Sequence, residues 1–222
     1  MMLCDAKWLQ QVLAKYTVDE LSPLLNLGSS TRDFREKKQP FVHELVFAPL
    51  LFRDIKIIHS DLKEGDGVDI ATDIFDEAGL AKIKAAKPKA VLCSHMFEHI
   101  ADREQLAKII LDIVPNGGLF FITVPHSYHY HADPIDTMYR PNPDELAQLF
   151  SGQGNVEILE KNILTGDNYW SHIKKRPLTL FLRHFLRFFT PFLGISKWKR
   201  SMCKLYWLAN NYKVSAIVGR KL

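Results

Sequence analysis

The sequence predicts a single domain built on an open, doubly wound, mostly parallel α/β sheet. Three observations carry that prediction. Residues 90–124 spell strand, helix, glycine turn, strand: the apolar run Ala90 to Cys93, a helical pattern, Gly117-Gly118, then Leu119 to Val124. The last run is almost continuously apolar and partly β-branched, which suits a strand buried on both faces of a parallel sheet. Further strand-like runs are Leu24 to Leu27, followed by Gly28, Ile55 to Asp61, which ends in an acid, and Val68 to Ile74, with Asp73 near its end. Open sheets bind ligands beyond the carboxyl ends of their strands, so functional residues are expected just after Leu27, Ser60, Asp73, Cys93 and Val124.

Each element follows from local chemistry. Asp5 to Tyr16 reads as an amphipathic helix with Trp8, Leu9, Val12 and Leu13 on one face. Leu24 to Leu27 reads as a strand closed by Gly28-Ser29-Ser30, where short side chains let the backbone approach a ligand. A charged loop, Arg32 to Lys38, is expected before a helix over Phe41 to Leu50 with Pro40 in its first turn. The glycine spacing of a dinucleotide fingerprint is missing. Ile55 to Asp61 ends in an acid whose two oxygens suit a pair of ribose hydroxyls, and Asp73 at the end of the next strand suits an exocyclic amine. Either acid is also an ordinary turn residue. Asp102 and Gln105 start a helix whose Leu106, Ile109, Ile110 and Ile113 recur at helical spacing, and Pro115 with the glycine pair ends it.

A loop is expected after Val124, carrying His126, Tyr128, His129, His131, Asp133, Asp136 and Arg140 at the ligand edge. Histidine accepts protons near neutral pH, so His129 and Asp133 are the candidate catalytic groups, with His126 behind them. Tyr128, His131, Asp136 and Arg140 are the candidate substrate contacts; Arg140 would fork onto an anion or pair with Asp136. His129, His131 and Asp133 could together hold a metal, but no metal ligand is assigned. A helix over Asp144 to Phe150 and strands over Asn155 to Lys161 and Val214 to Arg220 complete the chain.

Bulk composition fits one ordinary globular domain: 222 residues, 47% hydrophobic and 24% charged. Cys4, Cys93 and Cys203 are too few and too far apart for a disulfide framework, which points to a reducing compartment. Met1 to Leu13 lacks the apolar core of a signal peptide, so a cytoplasmic location is expected. Residues 164–213 hold ten Lys or Arg against Asp167 alone, a formal +9 that leaves −5 for the rest of a chain of net charge +4. Within this basic aromatic insertion, Leu178 to Phe189 interleaves Arg183 and Arg187 with leucines and phenylalanines. It is too charged to span a membrane. Such helices over 178–204 either form a lid on their own domain or lie on an anionic membrane surface, at the inner face of a membrane. Nucleic acid is disfavoured, because a basic patch alone is only the electrostatic part of such a footprint.

Taken in order, Leu25-Asn26-Leu27-Gly28-Ser29-Ser30, Ser60-Asp61, Val68 to Ile74 ending at Asp73, Val91 to His99 and Pro115 to Leu119 resemble the class I S-adenosylmethionine-dependent methyltransferases. The resemblance, of the methyltransferase type 11 kind, covers about Leu24 to Pro125. It implies a Rossmann-like sheet with a C-terminal antiparallel edge hairpin, the basic insertion lying between the hairpin strands. It also implies S-adenosylmethionine as cofactor, held by Gly28 and Ser30 at the methionine part, Asp61 at ribose, Asp73 near adenine, and Ser94 and His95 along the pocket. Asn26 stands where the family usually has an acid, and Ser30 where it usually has a second glycine.

Methyl transfer to a small-molecule, sugar or lipid-linked glycan acceptor is the function this reading favours. Two alternatives stand beside it. A noncatalytic nucleoside-binding or scaffold protein would keep the fold and lose the chemistry, as Asn26 and Ser30 suggest. His95-Met96-Phe97-Glu98-His99 also spells the H-x-x-E-H pattern of a zinc hydrolase, which needs both histidines on one helix face; here the pattern falls in a connection.

Overall fold

The computed structural model describes residues 1–131, 135–175, 177–190 and 194–222. Helix α1 (Leu3–Leu13) precedes strand β1 (Leu24–Leu27), followed by β2 (Ile57–Asp61), β3 (Ile70–Ala71), α2 (Glu77–Ala85), β4 (Ala90–Ser94), α3 (Arg103–Ile113) and β5 (Leu119–Ser127). The remainder comprises α4 (Pro143–Ser151), β6 (Val156–Thr165), α5 (Tyr169–Lys175), α6 (Pro177–Phe188), α7 (Ile195–Tyr206) and β7 (Lys213–Lys221). Seven strands form one sheet in the order β3-β2-β1-β4-β5-β7-β6. The first five are parallel; β7 runs antiparallel between β5 and β6. The strand order reverses between β1 and β4, which opens a crevice at their carboxyl ends.

Alternation along the strands divides the core into two layers. Leu25, Val91, Phe120 and Ile122 face Leu106, Ile110 and Phe150 on α3 and α4. Leu24, Leu92, Leu119 and Phe121 face Leu9 and Leu13 of α1 and Val46, Phe47 and Leu50. All four residues of β1 are buried, as a strand covered on both faces requires.

Several expectations need correction. The run from Arg32 to Lys38 is not a loop: Phe34–Lys38 winds as one wide helical turn, because Arg35 is drawn inward onto backbone carbonyls. β3 shrinks to Ile70–Ala71. β5 continues beyond Val124 to Ser127, so His126 lies on a strand rather than in a loop. Pairing with β7 holds that extension, with a register shift between Pro125 and Ser127 where proline offers no N–H. The sequence reading also passed over α2, capped by Asp76 through the Gly79 N–H. At α3 the Asp102 cap is present, its carboxylate accepting from the Gln105 N–H at 2.9 Å.

Candidate functional site

The turn after β1 is a built cradle. Gly28 has φ +71° and Ser30 φ +55°, left-handed values that fold the backbone tightly around an opening. The Ser30 N–H donates to Asp61 Oδ2 at 2.7 Å, and the Lys63 N–H donates to Oδ1 at 3.1 Å. Arg35, buried beneath, donates to the carbonyls of Ser29, Ser30 and Gly67 at 3.0, 2.5 and 2.7 Å. Asn26 and His59 are register partners on β1 and β2, and the Asn26 amide lies 3.0 Å from His59 Nδ1. Burial, reinforced by the Arg35 charge, pushes the His59 pKa down to about 4.

A cleft opens between this turn and the end of β4, its walls including Met1, Asn26, Gly28, Ser30, Phe34 and Ser94. It lies at the strand-order reversal, the place where open α/β sheets bind their ligands. Of the predicted cofactor residues, Gly28, Ser30 and Ser94 line it, and Asp61 braces its rim. The Ser94 hydroxyl lies 2.6 Å from Thr123 Oγ1. Asp73 closes a turn beyond β3, where its Oδ1 accepts from the Phe75 N–H at 2.9 Å.

His95 is placed differently. Its φ is +54°, and its Nε2 stands 2.7 Å from Oδ2 of Asp5, a fully buried acid on α1. Burial disfavours both charges, yet the mutual attraction wins: the Asp5 pKa lies below its ordinary value and the His95 pKa above. His95 Nδ1 is 3.5 Å from Glu98 Oε1. His95 therefore sits at the centre of a buried Asp5–His95–Glu98 chain directly after Ser94. Phe97–His99 makes only one tight turn, so the H-x-x-E-H residues do not share a helix face.

On the acceptor side, His126 Nδ1 lies 3.0 Å from the Pro141 carbonyl. A carbonyl only accepts, so Nδ1 carries the proton and Nε2 is the basic nitrogen. Tyr128 and His129 stack at 4.3 Å and meet Tyr212, the residue before β7, with Trp207 close by. The structure gives Arg140 to Asp136, Nη2 to Oδ2 at 2.7 Å. The Asp136 carboxylate also accepts the His131 and Met138 N–H groups; burial pushes its pKa up, but these bonds and Arg140 hold it at about 2. The His131 ring meets Tyr128 and His99 edge-on. Asp133 lies outside the described residues.

Sequence reasoning missed Asp5, Arg35 and His59. Asp5 was legible: it precedes Leu9 by one helical turn, on the same buried face as Val12 and Leu13. Arg35 sits in a charged run that reads as solvated, and nothing local marks it.

A methyltransferase-domain family model matches residues 6–162. No curated protein matches at the sequence level. Among solved structures, the YcgJ protein from Bacillus subtilis shares 13% identity at TM-score 0.52, with 98% of each chain covered. Coclaurine N-methyltransferase bound to N-methylheliamine and SAH shares 15% at TM-score 0.50, covering 96% of this chain and 72% of that one. The [4+2]-cyclase SpnF shares 16% at TM-score 0.50, covering 97% and 80%. These likenesses concern the fold. With the family match spanning most of the sheet and the cleft at its switch point, the chain belongs to the methyltransferase-domain family, a class I fold whose cofactor is S-adenosylmethionine.

Proposed function

We propose that this protein transfers a methyl group to a sugar or other hydroxyl-bearing small molecule carried on a lipid and presented at an anionic membrane surface. The observation that carries the methyl-transfer reading is the cleft at the β1–β4 switch point, with Gly28 and Ser30 in left-handed conformation and Asp61 tied to the turn. When bound, S-adenosylmethionine supplies a sulfonium-activated methyl group. Gly28, Ser30 and Ser94 would hold its amino-acid end, and each Asp61 oxygen retains acceptor capacity for a ribose hydroxyl. The protein's own work is to align the acceptor and exclude water. His126, with Nε2 as its basic nitrogen, is the proton acceptor this geometry favours, and the stacked Tyr128–His129 pair would form the acceptor's apolar wall.

The lipid part of the reading rests on α6. More than half of each of Leu178, Leu182, Phe185, Leu186 and Phe189 is exposed, and they recur on one helix face beside Arg183 and Arg187. Among the described residues no helix is long and apolar enough to cross a membrane.

Calorimetric titration with S-adenosylmethionine tests the cofactor part: one saturable site weakened at least about tenfold by Asp61→Ala, which removes a charge-assisted bond as well as a ligand group. Flotation with anionic vesicles tests the surface part. Loss on combining Leu182→Ser, Phe185→Ser and Arg187→Ser supports it, and absence of flotation by the unmodified protein refutes it.

A further inference from the structure

Glu98 is the group in this molecule least explained by the cofactor cleft. It is fully buried, and among the described residues neither carboxylate oxygen accepts a hydrogen bond. The nearest polar side-chain atoms are His95 Nδ1 at 3.5 Å and His99 Nε2 at 3.8 Å from Oε1, and the second oxygen, Oε2, has no such neighbour among the described residues. His99 ends the short turn after β4, and His131 comes from the segment beyond β5, so the two neighbouring strands bring the histidines together from the connections at their carboxyl ends.

We infer that Glu98, His99 and His131 form a binding site for a first-row divalent cation at the carboxyl edge of the sheet. One ligand atom from each lies within 4.8 Å of the others. Bonds of about 2.0–2.2 Å to a common ion need ligand atoms about 3–3.5 Å apart, so closing the set takes side-chain shifts of about 1 Å. The outer contacts are those that orient metal ligands. His99 Nδ1 is 2.5 Å from the Ile135 carbonyl, which fixes the proton there and turns the Nε2 lone pair toward Glu98. His131 Nδ1 lies 3.2 Å from Asp136 Oδ2 without hydrogen-bond geometry, and the Asp136 carboxylate accepts the His131 backbone N–H at 3.0 Å. His95, anchored by Asp5, steadies Glu98 from behind. Glu98 is sealed in the interior, whereas His99 and His131 are half-buried, which leaves a path for the ion.

Two imidazoles and one carboxylate favour zinc or manganese over magnesium, which prefers an all-oxygen shell. Three protein ligands leave coordination positions open. An acceptor hydroxyl placed there would become more acidic, a role that rests on the methyl-transfer reading above, whereas binding of the ion does not.

The test uses the full, tag-free chain stripped with chelator and titrated calorimetrically with zinc chloride, manganese chloride and magnesium chloride. One site for zinc or manganese is expected, weakened at least about tenfold by His99→Ala and by His131→Ala, and unchanged by His43→Ala. Cobalt absorption bands that vanish in the same two variants give a second readout that does not depend on stability. No saturable zinc or manganese binding by folded protein, a site that accepts magnesium alone, or binding indifferent to both variants would overturn the inference. A parallel titration with S-adenosylmethionine keeps failure of the metal site distinct from failure of the cofactor reading.

Discussion

Asn26 and His59 face each other across the β1–β2 pair, and the Asn26 amide donates to His59 Nδ1 at 3.0 Å, a bond that requires a neutral imidazole. Burial and the nearby Arg35 charge keep His59 neutral down to about pH 4. An acid at position 26, usual in the resembled family, would place a carboxylate against a ring nitrogen that carries no proton. Asn26→Asp should therefore raise the His59 pKa to its ordinary 6.5 or above, read from the imidazole proton shifts by NMR. In the unaltered protein, cofactor affinity should fall as the pH approaches 4, because the protonated ring no longer accepts from Asn26.

Arg35 holds the cradle from below through three backbone carbonyls. Arg35→Ala would strand those acceptors, and a loss of about 3 kcal/mol is expected in urea denaturation, together with weaker cofactor binding. Lysine at this position retains the charge but not the fork, so Arg35→Lys should recover only a minor part of either loss. Full recovery by lysine would show that charge alone matters.

Gly219 on β7 lies flat beneath the Phe120 ring, which stacks on Phe150 with centroids 4.7 Å apart. A Cβ at position 219 would come within 2.1 Å of that ring. Gly219→Ala is expected to cost about 2–3 kcal/mol through overpacking. Adding Phe120→Leu should return part of it in a double-mutant cycle; strict additivity would place the damage elsewhere.

The Asp5–His95 pair sets a pH window for stability. The Asp5 pKa is lowered from 3.8, so its contribution is present above that value and is lost as the pH falls through the folded-state pKa. The His95 pKa is raised from 6.5, so its contribution is present below 6.5 and is lost as the pH rises through the folded-state pKa. The stability difference between the unaltered protein and Asp5→Asn should be largest from about pH 4 to 6.5 and shrink on both sides. A difference that does not change with pH would mean the pair is held neutral.

The sheet was legible because its signals are local. Val91, Leu92, Phe120, Phe121 and Ile122 announce buried strands by composition alone, and Asp102 announces a helix start. The turn after Leu27 and the acid of Asp61 were legible as well, since their chemistry depends on position at a strand end. What escaped the sequence is long-range pairing. His95 reads as a pocket residue until a buried acid ninety residues earlier is brought against it. For Arg140 the sequence left two partners open, an anionic substrate or Asp136, and the fold sets it on Asp136. His126 reads as a loop residue because nothing before Lys213 reveals that a later strand will extend β5.

The place of β7 between β5 and β6 governs how the chain can mature. During synthesis β6 emerges with no neighbour to pair with, and one edge of β5 stays open until residues 213–221 arrive. In that interval the bare edges and the apolar face of α6 are exposed together, the condition under which nascent chains associate wrongly. A stalled or shortened chain lacking this last strand is expected to be held by chaperones or to aggregate, while one that receives it closes both edges in a single step.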